Sequence, residues 1–288
     1  MPAGTSLNRA VRSSQWTARS TANSPGVHLF ERFGIAARGV VYILIGVLTA
    51  QAALGRGGAV AGQSQALEAI YSQPHGRMLL TVITIGLFAY ALYCFIKALL
   101  NTEGHKADAQ GAAARVGNAA GGIAYAAMAW GAFQLIRGTA TSIKGGSNAS
   151  TQQHTAQALN LPFGRELVVI VGLIILVVAA TQLYRAYTAK FQRHLDLGRV
   201  STQAKTLVIR LGRFGYAARG VVFTIIGFFL VVAGLHRSAG TAKGASGALA
   251  TLLAQPYGHV LAGIVALGFV AFGLYSFAEA RYRRLGRA

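Results

Sequence analysis

Carboxylates are scarce in this chain: seven Asp and Glu stand against 27 Lys and Arg in 288 residues. Nearly all seven fall outside the apolar runs, so a carboxylate proton relay through a bilayer is not expected. The single cysteine, Cys94, lies within an apolar run, which excludes an intrachain disulfide, a dithiol redox pair or a zinc cluster and leaves a small buried hydrophobe. HExxH, GxSxG and a complete GxxxxGK[ST] are missing. The histidines, His28, His75, His105, His154, His194, His236 and His259, are scattered among tails and loops, with no two spaced i, i+4 to hold a metal or haem. An inventory without an acid–base pair or a ligand cluster predicts a non-enzymatic protein with no cofactor and no metal.

Apolar length is what the sequence has instead. Hydrophobic residues make up 53%, charged residues 12%, and mean hydropathy is +0.47. Runs of about 18 to 22 apolar residues suffice to cross a hydrocarbon core of roughly 30 Å. Six occur: Phe33 to Leu54, Met78 to Ile96, Val116 to Ile136, Leu167 to Tyr184, Phe214 to Leu235 and Val260 to Ala278. Each is continuously apolar and not alternating, which predicts helices and not barrel strands. The tail to about Gly26, rich in Ser, Thr and Arg, has no apolar core and reads as a basic disordered arm over residues 1–30, not as a secretory signal.

The formal charge of +20 raises the question of nucleic acid. Assigning loops alternately to two sides puts twenty of the 27 Lys and Arg residues on the side of both termini. That is the positive-inside pattern, which predicts a multi-pass membrane protein with both termini cytoplasmic. The basic face then meets anionic lipid headgroups, and no nucleic acid is required.

The runs repeat. Arg32, Gly34, Ala36, Ala37, Gly39 and Tyr42 return as Arg213, Gly215, Ala217, Ala218, Gly220 and Phe223, and more faintly as Arg115, Gly117, Ala119, Ala120, Gly122 and Tyr125. Each second run opens alike, with QPHGR, LPFGR and QPYGH. On these motifs the chain resembles the bacterial membrane proteins grouped as domain of unknown function 1206, whose two-helix unit is repeated three times. The resemblance covers Arg32 to Arg284 and implies a fold but no activity. The expected architecture is all-α, with six transmembrane helices as three tandem hairpins (31–101, 115–187 and 212–284) in a quasi-threefold arrangement about the membrane normal. Two spans per unit give all three units one orientation, unlike an inverted-repeat transporter.

Three groups of residues are candidates for a role. Arg38 and Arg219 recur inside the ARG motif, with Gly121 in the middle copy. Lying about six residues inside its span, Arg38 could snorkel to lipid phosphate. The helix N-terminus disfavours a cation, however, and the same cytoplasmic side offers Glu279 where the other copies have Lys97 and Arg185. Glu279 could also pair with Arg283 one turn on. Gly34, Gly39, Gly117, Gly121, Gly122, Gly215 and Gly220 read as helix-packing positions. The turns Pro74 and Gly76, Pro162 and Gly164, and Pro256 and Gly258 read as openings of the second helices, each proline suited to a first turn and each preceded by a short amphipathic helix. If these turns converge, His75, Arg77, Arg165 and His259 would form a polar outer mouth.

Two functional classes follow. One is a binding or passage protein for a small solute, ion or lipid that uses the interior. The other is a structural or assembly factor that acts through helix packing and the basic cytoplasmic face.

Overall fold

The computed structural model describes residues 25–56, 62–100, 109–139, 146–198 and 200–283. Most of the expected basic arm, together with Lys106, Arg199 and Arg284, lies outside the described residues. Nine α-helices are described: α1 (Pro25–Ala53), α2 (Gln63–Tyr71), α3 (Gly76–Leu100), α4 (Ala109–Arg137), α5 (Gly146–Leu159), α6 (Gly164–Thr188), α7 (Thr202–Leu235), α8 (Ala245–Leu253) and α9 (Gly258–Tyr282). Six of them, α1, α3, α4, α6, α7 and α9, are long and apolar enough to cross a membrane. The protein is all-helical, and the short helices α2, α5 and α8 join the long ones into three hairpins. We call the end bearing α2, α5 and α8 the cap end and the opposite one the basic end. α1 begins at Pro25, within the stretch assigned to the arm. α7, 34 residues and so about 51 Å long, starts ten residues before its expected unit and is capped by Ser201 Oγ accepting from Ala204 N.

The long helices follow one another around the bundle in chain order, α1, α3, α4, α6, α7 and α9, with α9 returning to α1. The tightest pairs join different repeats: α3 with α4, α6 with α7, and α9 with α1. At equivalent places in the first two pairs, Arg115 Nε donates to Ala98 O at 2.8 Å and Arg213 Nε to Ala186 O at 3.0 Å. In these two copies the first basic residue of the motif thus serves a helix C-terminus, where a cation is favoured.

Packing within hairpins is unequal. A Cβ at Gly34 would lie 2.6 Å from Tyr90 Cβ, and one at Gly215 would lie 2.6 Å from Phe272 Cα. Gly86 answers Ala37 and Gly268 answers Ala218 at the same register, with added Cβ atoms 2.7 and 2.3 Å from the alanine methyls. Only glycine allows that approach. In the middle hairpin the corresponding α6 residue is Ile174. α4 and α6 do not form a packed pair among the described residues. The expected packing role of Gly117 and Gly121 is therefore not realised: nothing lies within 4 Å of a Cβ at Gly117, and Gly121 has only Cys94 Sγ at 4.0 Å. Gly122, against the Phe95 ring, makes the contact instead. Five neighbouring pairs are closed and one is open, so equivalence of the three hairpins does not extend to their internal contacts.

At the cap end, α2 buries Ala66, Leu67 and Ile70, and α8 buries Ala248 and Leu249. α5 is more polar and is tied to the start of α8, where Asn148 N donates to Ser246 Oγ and Gly244 N to Asn148 Oδ1. The second long helices begin at Gly76, Gly164 and Gly258, so Pro74, Pro162 and Pro256 sit two residues before them and not in the first turn. The residue between is left-handed in all three turns: His75 (φ 61°), Phe163 (φ 59°) and Tyr257 (φ 61°). Each glycine then lets the chain turn under the preceding helix, since a Cβ at Gly76 would lie 2.2 Å from Ile70 O and one at Gly258 2.0 Å from Leu253 O.

The basic end is closed in part by the segment after α6. A 3-10 turn over Lys190–His194 places Phe191 against Tyr216 and Tyr275, with ring centroids 5.2 and 5.1 Å apart. Leu195 is buried too, and Asp196 N donates to Tyr282 O at 2.7 Å.

Candidate functional site at the buried arginines

α1 and α9 are the most buried of the long helices, and both basic ARG-motif residues point into the bundle: Arg38 is 4% exposed and Arg219 8%. The snorkelling expectation fails for both. A lipid-facing arginine would keep its guanidinium at the surface, whereas these two lie against the same Phe272 ring, 5.0 and 4.4 Å from its centroid.

Arg38 is well supplied. Its Nη1 donates to Tyr90 Oη at 2.6 Å, and its Nη2 to Ser276 Oγ at 3.2 Å and Glu279 Oε2 at 2.8 Å. Glu279 also accepts from Arg283 Nη1. Arg283 in turn pairs with Glu31 and donates Nη2 to Tyr93 Oη at 2.9 Å. Both readings of Glu279 therefore hold at once, and the pair with Arg283 is buried, not exposed. Burial works against the Arg283 charge. Tyr93 and the carboxylates of Glu279 and Glu31 outweigh it, holding the guanidinium well above its usual range. Glu279 and Glu31 thus answer Arg38 and Arg283 across α1 and the end of α9, with Lys97 of α3 also acting on Glu279, so both carboxylates are engaged as a buried ionic network needs.

Arg219 has no such set. Its guanidinium lies over Tyr42, Phe223 and Phe272, 5.0, 5.2 and 4.4 Å from the ring centroids. Among the described residues it forms no ion pair, and its Nε has no hydrogen-bond partner. The Tyr42 and Tyr125 hydroxyls are within electrostatic reach, as is Arg38. Tyr125, buried against Tyr90 with centroids 4.7 Å apart, has an unpartnered hydroxyl. Register explains the difference. Position 279 of α9 faces Arg38 across the α9–α1 pair, and its counterpart across α6–α7 is Arg185, an exposed cation over the Tyr216 ring.

The proposed outer mouth is not assembled. His75, Arg77, Arg165 and His259 are all exposed, and no hydrogen bond or ion pair joins any two of them. His259 instead meets Ala53 O through Nδ1 at 3.0 Å. Among the described residues no group of three His, Cys, Asp or Glu could hold a metal ion. Sequence reasoning did not single out Tyr90, Ser276 or Glu31, and it marked Tyr125 only as the repeat equivalent of Tyr42. Ser276 had a signal, since Cys94, Gln182 and Ser276 share one register and all are buried.

An all-helical, multi-pass membrane protein of three tandem hairpins is the class these features define. The chain belongs to the family described as Domain of Unknown Function (DUF1206), whose model matches residues 33–101, 116–189 and 214–283. It is 32% identical over 276 residues, 96% of this chain and 98% of the relative, to "Uncharacterized protein YxxB" of Bacillus subtilis (strain 168). No solved structure matches it significantly.

Proposed function

We propose that the protein binds or passes a small solute, ion or lipid within a bacterial inner membrane, without catalysis, and that both termini face the cytoplasm. Anionic headgroups are its partners at the basic face, and nucleic acid has no part. The observation that supports this reading is the open α4–α6 side of a bundle whose interior holds two buried guanidiniums. A purely structural bundle would close all of its hairpins, since packing drives helix association in lipid.

Gly121→Trp tests the reading by filling the gap. In nanodiscs of phosphatidylglycerol and phosphatidylcholine, native mass spectrometry should find discrete molecules retained by the wild type and lost from this variant. Equal retention by both folded proteins would overturn it. The alternative, an assembly factor, draws on the largely exposed apolar face of α6, where 22% of the apolar stretch is buried. It would gain if equal retention were accompanied by a stable protein partner on that face. Reporter fusions near Lys106 and Lys205 should report the cytoplasmic side, and a cytoplasmic signal near Gly145 would reject the orientation.

A further inference from the structure

We propose that Arg219 is one wall of a binding site for a singly charged oxyanion, a carboxylate or phosphodiester, which occupies the role that Glu279 plays beside Arg38. The inference rests on the reading of the protein as a binding or passage protein and names the ligand chemistry. It starts from charge. Among the described residues the buried ionic groups are Arg38, Arg219, Glu31 and Glu279, and the half-buried Arg283 and Lys97 also act on Glu279. Both carboxylates are engaged by Arg38 and Arg283, and Arg219 is the buried cation left without one.

An uncompensated buried charge costs several kcal/mol. Contacts with three rings return part of this, since cation–π attraction strengthens when the pair is desolvated. Three of the buried polar atoms without a hydrogen-bond partner can donate to a ligand. Arg219 Nε and Arg38 Nε are donors only, and the Tyr125 hydroxyl has a proton to give. Donors left over around a cation without a carboxylate are complementary to an acceptor-only anion. The nearest equivalent of Glu279 on α6 is Arg185, a further cation, so the protein supplies no internal substitute.

Geometry supplies the access. Tyr125 is carried by α4 and Arg219 by α7, the helix packed on α6; α4 and α6 do not form a packed pair among the described residues, and the Tyr125 hydroxyl is within electrostatic reach of Arg219. A Cβ at Gly117 would meet nothing within 4 Å and one at Gly121 only Cys94 Sγ of α3 at 4.0 Å, so this part of α4 is thinly covered. Phe191 and Leu195 obstruct the basic end nearby, which favours approach from the side. Arg219 lies six residues beyond Arg213 on the same helix, about 9 Å deeper, within reach of a headgroup drawn inward or of a free anion.

The test uses the purified full chain in detergent at fixed ionic strength and follows the thermal transition. Dioleoylphosphatidylglycerol and dioleoylglycerol share their tails, and only the first carries a phosphodiester. Inorganic phosphate and acetate supply the soluble arm. A saturable rise of several degrees is expected with phosphatidylglycerol, or with phosphate or acetate, and none with dioleoylglycerol; the probe that acts identifies the source. The rise should persist in Arg210→Gln, an exposed basic residue on the same helix, vanish in Arg219→Gln, and require several-fold more probe in Tyr125→Phe. Without probe, Arg219→Gln should be at least as stable as the wild type. No response to any oxyanion, or an undiminished response in Arg219→Gln, overturns the proposal. If that variant does not fold, Arg185→Glu decides: an internal carboxylate should abolish the response, and an unchanged one overturns it. Loss of retained molecules in Gly121→Trp but not in Arg219→Gln would defeat this site and leave the binding reading intact. No effect of either would defeat both.

Discussion

Arg38 and Arg219 occupy the same register of the same motif, are buried to nearly the same degree and touch the same phenylalanine, yet one is neutralised and the other is not. The difference is not in the arginines. It lies in the neighbouring helix, where α9 presents Ser276 and Glu279 and α6 presents Gln182 and Arg185. The middle repeat takes the divergence further, with Gly121 in place of arginine and Ile174 in place of the contact glycine. A threefold repeated sequence has thus been differentiated into one locked interface, one charged but unpaired interface and one open hairpin.

Removing the lock should produce the largest effect. Glu279→Gln leaves Arg38 and Arg283 sharing one fewer anion and should lower stability by about 3 to 5 kcal/mol, read by thermal or denaturant unfolding in detergent. Arg38→Ala should cost a similar amount, and the double change less than the sum, because the two are in contact at 2.8 Å. Arg38→Lys should rescue poorly, since an ammonium cannot meet Tyr90, Ser276 and Glu279 with a planar fork. Strict additivity would mean that the pair is incidental.

Exchanging the hairpin contacts tests the second contrast. Gly268→Ile should wedge α7 from α9 and cost about 1 to 3 kcal/mol. Ile174→Gly should let α4 and α6 approach, which would slow maleimide labelling of Gly121→Cys in a Cys94→Ala background. Unchanged labelling would show that Ile174 does not hold the gap.

Smaller effects are expected at the edges. Arg185→Glu gives Arg219 a carboxylate at an exposed position and should stabilise the protein by about 1 kcal/mol or less, decreasing with salt. Tyr257→Gly relieves a left-handed non-glycine residue (φ 61°) and should change stability by at most about 1 kcal/mol in the favourable direction. A clear loss there would mean that the exposed ring contributes more than the backbone.

Span count, hairpin pairing and the short cap helices were legible because apolar length and the Pro-x-Gly turns are local signals. The pairing of Arg38 with Glu279 was legible as one of several readings, since an acid stood where its repeat equivalents are basic. Burial of both arginines was not, because depth from a helix end does not say whether a side chain faces lipid or protein. Tyr90 escaped notice, and Tyr125 was visible only as the repeat equivalent of Tyr42, for a related reason: tyrosine inside an apolar run gives no sign of its role until a neighbouring helix brings a cation to it. The open hairpin was written in Ile174 against Gly86 and Gly268, but a glycine-to-isoleucine difference gains meaning only when the facing helix is known.

The α9–α1 interface joins residues 241 positions apart in the chain. At translation rates of about 5 to 20 residues per second, the interval between synthesis of Arg38 and of Glu279 is roughly 10 to 50 seconds. During that time the first span must reside in the membrane with its arginine uncompensated by its eventual counter-ion, held by water, lipid phosphate or the insertion machinery. Completion of the last helix is therefore the neutralising event of biogenesis, and a chain truncated before α9 would retain five spans and an unsealed, charged seam that quality-control proteases can recognise.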